Sequence, residues 1–146
     1  MKYSEENRDL FTVDDDYYLA HCISADFAMG KGIAREFDER FDMKHQLRVK
    51  YPRYMQLWRM SIPGDALLIG RVFNLITKER FYQKPTYDSL RESLEVMKNL
   101  TLREGVEKIA MPKIGCGLDR LRWDKVSEMI QEVFETTDIE ILVCLQ

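Results

Sequence analysis

A chain of 146 residues suffices for one domain with a sizeable core, and 45% apolar with 32% charged residues excludes a disordered chain. The formal net charge of -3 argues for plain solubility and excludes a broadly basic nucleic-acid surface or an acidic tail, while leaving local patches open. Three cysteines without a CxxC pair, and only two histidines, exclude a disulfide scaffold and a spaced metal cluster, so neither metal nor cofactor is expected.

The first dozen residues are polar, with residues 10–13 as the first apolar group. No apolar leader and no run of membrane-spanning length occurs, which predicts a soluble protein of the cytosol or nucleus with no membrane contact. Residues 17–23 are aromatic and apolar and predict a buried strand, ended by Ser24-Ala25-Asp26. Residues 32–41 predict a helix with Ile33, Ala34 and Phe37 near one face, and residues 42–49 a second, shorter one. Pro52 breaks the pattern; residues 55–58 read as a strand, and Pro63-Gly64-Asp65 as a turn. Residues 66–70 and 72–77 read as a strand pair or one bent strand, followed by a polar loop over 78–84. Pro85-Thr86 opens a helix over 87–103, whose Leu90, Leu94, Met97 and Leu100 or Thr101 stripe predicts core packing, and Gly105 ends it. Residues 106–111 read as a strand. Trp123, Val126, Met129, Ile130 and Val133 mark an amphipathic helix, and residues 139–145 a closing strand. Strands alternating with helices predict a single α/β domain over 1–146, with helices on both faces of a central mixed sheet.

Two glycine turns stand out. Met29-Gly30-Lys31-Gly32 precedes the first helix, and Ile114-Gly115-Cys116-Gly117-Leu118 lies between the strand ending at Met111 and the helix near Trp123. Without a Cβ, backbone N–H groups can converge on an anion, and a following helix start adds its positive end. Two such turns can hold both ends of a pyrophosphate, so nucleotide recognition is the leading inference. Cys22 and Cys144 lie in apolar runs and read as small core residues, and Cys116 as a packed loop residue without a histidine beside it. His21 reads as a core histidine.

Several ordered motifs together resemble the macro domain, and within it the terminal ADP-ribose protein glycohydrolase branch. They are Arg8-Asp9-Leu10-Phe11, Leu19-Ala20-His21-Cys22-Ile23-Ser24, Met29-Gly30-Lys31-Gly32-Ile33-Ala34, Leu75-Ile76-Thr77-Lys78, Lys84-Pro85-Thr86-Tyr87, and the stretch from Met111 to Leu121. The likeness covers nearly the whole chain and is least clear over 45–65. It implies a three-layer α/β/α macro fold, with an ADP-ribose cleft at the strand ends. It also implies removal of mono-ADP-ribose from acidic side chains of proteins and hydrolysis of O-acyl-ADP-ribose. One departure is Arg8, where the family often has glycine.

By that resemblance Lys78 is the catalytic nucleophile, and Asp119 the partner that protonates the leaving carboxylate or activates water; from local sequence alone Asp119 reads first as a helix cap. Asp9 is implied to accept a hydrogen bond from the adenine amino group. Ser24, Met29, Gly30, Lys31, Gly32, Thr77, Ile114, Gly115, Cys116, Gly117 and Leu118 are implied to line the ligand. Asp26 is a further candidate on the proximal ribose or phosphate side, and Phe81 and Tyr82 are candidates to cover adenine or ribose. Two alternatives stay open: an ADP-ribose-binding module without turnover, and a hydrolase of ADP-ribosylated DNA bases. No coiled-coil segment is present, and a monomer is expected.

Overall fold

The computed structural model describes residues 1–59 and 64–146, and Pro63 of the expected turn lies outside them. Among the described residues six strands form one sheet: β1 (Lys2–Glu6), β2 (Tyr18–Ser24), β3 (Asp65–Ile69), β4 (Val72–Lys78), β5 (Lys108–Met111) and β6 (Glu140–Cys144). Their order is β1-β6-β5-β2-β4-β3, parallel throughout except for the antiparallel β3–β4 hairpin. The expected mixed sheet is therefore present. Helices α1 (Gly32–Phe41), α2 (Met43–Lys50) and α3 (Tyr54–Arg59) supply one apolar layer, through Phe37, Met43, Leu47, Tyr54 and Trp58. Helices α4 (Tyr87–Glu104) and α5 (Trp123–Phe134) supply the other. No described helix is long and apolar enough to cross a membrane.

Local chemistry explains both ends of the longest described helix. Thr86 and Ser89 form a reciprocal capping box at the start of α4, and Gly105 closes it in the left-handed region. Leu90, Leu94, Met97 and Thr101 of its stripe are all buried, as the spacing predicts. Two expectations fail. The segment 55–58 is helix α3 rather than a strand, because Tyr54 and Trp58 are buried one turn apart at helical spacing. β1 was not anticipated: it is an edge strand in which no residue is fully buried, so it lacks the apolar alternation that marks a half-buried strand.

His21 is fully buried on β2, stacked on Phe37 with ring centroids 3.9 Å apart. Its Nε2 lies 2.6 Å from Asn74 Oδ1, and Asn74 in turn donates to the Leu67 carbonyl at 3.2 Å. Burial pulls the imidazole down from 6.5 to about 4, with Asn74 opposing. The folded state thus resists protonation more than the unfolded chain does. Above pH 6.5 no penalty exists; between 6.5 and about 4 it grows, and it reaches its full value below that. The interval corresponds to about 3 kcal/mol of stability. Denaturant melts from pH 7.5 to 4 are expected to show this loss, and His21→Gln is expected to flatten the slope by one proton. Equal slopes in parent and variant would refute the assignment.

Candidate functional site

The carboxyl ends of the parallel strands open into one cleft of about 860 Å³. β2 is central: its hydrogen-bonded neighbours are β4 on one side and β5 on the other, so the connections leaving it diverge and leave a crevice at their fork. Both glycine turns line this cleft. Gly32 adopts φ 59° as the chain enters α1, a conformation open to glycine. The cap residue Lys31 offers no side-chain acceptor, so the first N–H groups of α1 stay open toward the cleft. In the second turn Gly115 has φ 74°, and its carbonyl accepts the Leu121 N–H at 2.8 Å. Among the described residues, no protein group accepts the N–H of Gly117, Leu118 or Asp119. Among the described residues, both glycine turns thus bring N–H groups without a protein acceptor to the wall of one cleft.

Lys78 and Asp119 meet in the same cleft. Lys78 Nζ donates to Asp119 Oδ1 at 2.6 Å, and the two side chains are 13% and 17% exposed. An irregularity in the sheet contributes to this placement. The β2–β4 register runs Ile23 against Ile76 and then Ser24 against Lys78, so Thr77 is the extra residue of a bulge that re-aims the strand end. Thr77 is buried, and its hydroxyl has no partner among the described residues; it does not line the cleft.

The other candidates divide. Met29, Gly30, Lys31, Ile114, Cys116, Gly117 and Leu118 line the cleft beside Gly32 and Gly115. Ser24 also lines it, but its hydroxyl donates to Asp26 Oδ1. Asp26 does not line this cleft, since its carboxylate turns to the backbone of two loops. Phe81 lines the cleft, whereas Tyr82 packs edge-on against it at 5.5 Å and points outward. Asp9 lies outside the lining residues, on the turn after β1, where Oδ1 accepts the Phe11 N–H at 2.9 Å. Arg8 needs none of glycine's freedom here. It is not among the positive-φ residues, and its guanidinium donates to the Thr12 carbonyl at 2.8 Å.

Cysteine chemistry finds no support in this cleft. Burial pushes the Cys116 thiol up, with Lys113 opposing, and its Sγ–H donates to the Ile114 carbonyl at 3.3 Å. Cys22 is half-buried in the cleft wall rather than in the core; burial again raises its thiol, and the charge of Asp119 adds to the shift. An activated thiol needs the opposite shift. Cys144 is buried, as expected.

Sequence reasoning missed the cationic lining. Among the described residues, Lys31, Lys44, Lys78, Lys84 and Lys113 line the cleft, against Asp119 as the only carboxylate side chain there. Lys84 Nζ also donates to the Leu118 carbonyl at 2.6 Å, tying its loop to the second glycine turn. Lys84 and Lys113 were legible as members of the quoted motifs. Nothing in the local pattern of α2 marks Lys44.

A family model for the macro domain matches residues 20–130. The ADP-ribose glycohydrolase OARD1 of Homo sapiens is 45% identical over 139 residues, spanning 92% of this chain and 86% of its own. The DNA ADP-ribosyl glycohydrolase of Thermus aquaticus is 27% identical over 130 residues, 86% of this chain but 36% of that longer protein. The macrodomain of Thermus aquaticus DarG superposes with a TM-score of 0.82 at 23% identity, covering 99% of this chain and 98% of that one.

Proposed function

The chain belongs to the macro domain family, and from that premise we propose that it hydrolyses mono-ADP-ribose esters on glutamate and aspartate side chains of proteins. The observation that carries this reading is the Lys78–Asp119 pair at 2.6 Å, largely shielded from solvent and set in the cleft that both glycine turns line. A ligand whose pyrophosphate sits on the turns presents its distal ribose to that pair.

In this mechanism Lys78 Nζ passes a proton to Asp119 and attacks the anomeric carbon. The bond from that carbon to the ester oxygen breaks, and its electron pair leaves with the target's carboxyl group, which takes the proton held by Asp119 and so returns Asp119 to its carboxylate form. A proton of the attached Nζ moves to the ring oxygen, and the sugar ring opens to a protonated imine on Nζ. Water, deprotonated by Asp119, adds to the imine carbon and releases ADP-ribose with the amine restored. Holding the reactants in place removes much of the orientational cost. O-acetyl-ADP-ribose offers the same bond and is a proposed second substrate. We read the protein as a monomer of a reducing compartment, cytosol or nucleus, in keeping with its three unpaired cysteines.

We also assign Asp9 to the adenine amino group. Asp9→Ala is expected to weaken ADP-ribose binding about tenfold, through loss of a charged acceptor, while losing about 1 kcal/mol from its cap. Near-parental affinity by calorimetry would leave Asp9 with capping alone.

The test of turnover is incubation with a glutamate-linked mono-ADP-ribosyl protein and mass spectrometry of the product. Release of free ADP-ribose supports the hydrolase; binding without release points to a reader module. The DNA-directed relative favours a second reading, hydrolysis of ADP-ribosylated DNA bases, and a parallel arm with such DNA decides between the two substrates.

A further inference from the structure

We infer that Asp26 is a positioning residue: its carboxylate fastens the loop carrying the first glycine turn to the loop that follows Lys78. It thereby sets the distance between the pyrophosphate grip and the attacking amine. The inference rests on the hydrolase reading above.

Asp26 Oδ1 accepts the Ala28 N–H at 3.1 Å and the Ser24 hydroxyl, both on its own loop. Oδ2 accepts the Phe81 N–H at 3.0 Å, 55 residues away in the chain. Backbone bonds run beside it, from Ala25 N–H to the Lys78 carbonyl at 2.9 Å and from Asp26 N–H to the Glu79 carbonyl at 3.2 Å. The β2–β4 ladder ends at Ser24 and Lys78, so these bonds continue the pairing where the strands have stopped. Bonds accepted by a carboxylate are roughly twice as strong as neutral ones.

The segment that Asp26 spans is strained. Phe27 is buried and stacked on Tyr54 at 5.4 Å, yet its φ is 60°. A bulky side chain in the left-handed region costs about 1–2 kcal/mol. The Asp26–Ala28 bond bridges that residue and holds the turn closed. Met29 and Gly30 follow directly and line the cleft, as Phe81 does on the opposite loop. Asp26 therefore acts through what it holds: it does not line the cleft itself, but bonds to Ser24, Ala28 and Phe81, which do.

The two carboxylate oxygens serve different loops, and this separates the possible outcomes. Asp26→Asn keeps one carbonyl oxygen. Oriented toward Ala28 and Ser24 it preserves the first loop, while its amide N–H groups face the Phe81 N–H, donor against donor. We expect kcat on the ADP-ribosyl protein to fall about 10- to 100-fold, the cost of a displacement of about 1 Å at the reacting centre. Over the same variant KM, the Kd for ADP-ribose and Tm are expected to stay near parental values. Asp26→Ala removes every bond and is expected to weaken ADP-ribose binding as well. A parental kcat in Asp26→Asn overturns the inference, as does a kcat loss matched by equal losses in Kd and Tm, which would mark a purely structural residue. If the unaltered chain binds ADP-ribose but releases none from a substrate, the hydrolase reading itself fails and this inference falls with it.

Discussion

Lys78→Ala is expected to abolish turnover, by at least about 10³-fold, while ADP-ribose binding persists. The contrast follows from what Lys78 touches. Its amine pairs with Asp119, whereas the donors we assign to the phosphates are backbone groups of the two glycine turns. Removing the lysine also leaves a largely buried carboxylate without its partner, which carries a cost of up to about 3 kcal/mol. Lys78→Gln separates the two effects, because an amide N–H can still donate to Asp119 but cannot attack carbon. The expected result is a variant that folds and binds like the parent and releases no ADP-ribose from a glutamate ester. Undiminished turnover in either variant would remove Lys78 from the mechanism.

The second large effect is expected from valine in the second glycine turn, and the two glycines are expected to fail differently. Gly115 sits at φ 74°, and a Cβ there would meet Leu121 Cδ1 at 3.1 Å and Leu90 Cδ2 at 3.4 Å. A β-branched residue is a true outlier in that region. Gly115→Val is expected to lose about 1–3 kcal/mol of stability and its ligand affinity together. At Gly117 a Cβ meets nothing within 4 Å and φ is not positive. Gly117→Val is expected to melt like the parent and to lose ADP-ribose binding tenfold or more, because the added side chain projects where the ligand's phosphates approach. Thermal melts and calorimetry on both variants check this. An equal Tm loss in both would refute this distinction between the two glycines.

Legibility varied along the chain for identifiable reasons. The α4 stripe was readable because one face of a long helix repeats every three to four residues and its ends carry strong signals, Thr86 and Gly105. β1 was not, because an exposed edge strand has no apolar face to show. The short segment 55–58 was misassigned, since a four-residue stretch with three apolar residues fits strand or helix and the tertiary burial of Tyr54 and Trp58 decides between them. Arg8 stands where the family often has glycine. In the fold the position uses an ordinary φ, and its side chain clasps the turn from outside.

The sequence by itself determined the α/β fold class, the central sheet with helices on both faces, the family and both glycine turns. These follow from local periodicity, backbone permissiveness and ordered motifs, all properties of neighbouring residues. Only the tertiary structure decided which side chains meet. It brought Lys78 to Asp119 across 41 residues, through a bulge that turns the end of β4 and that no residue pattern announces. It gathered five lysines around one cleft in a chain of net negative charge, because net charge sums over the sequence while a field depends on distance. It also turned the Asp26 carboxylate onto two loops rather than into the cleft. A carboxylate's role is set by the donors within about 3 Å of it, and folding chooses those donors.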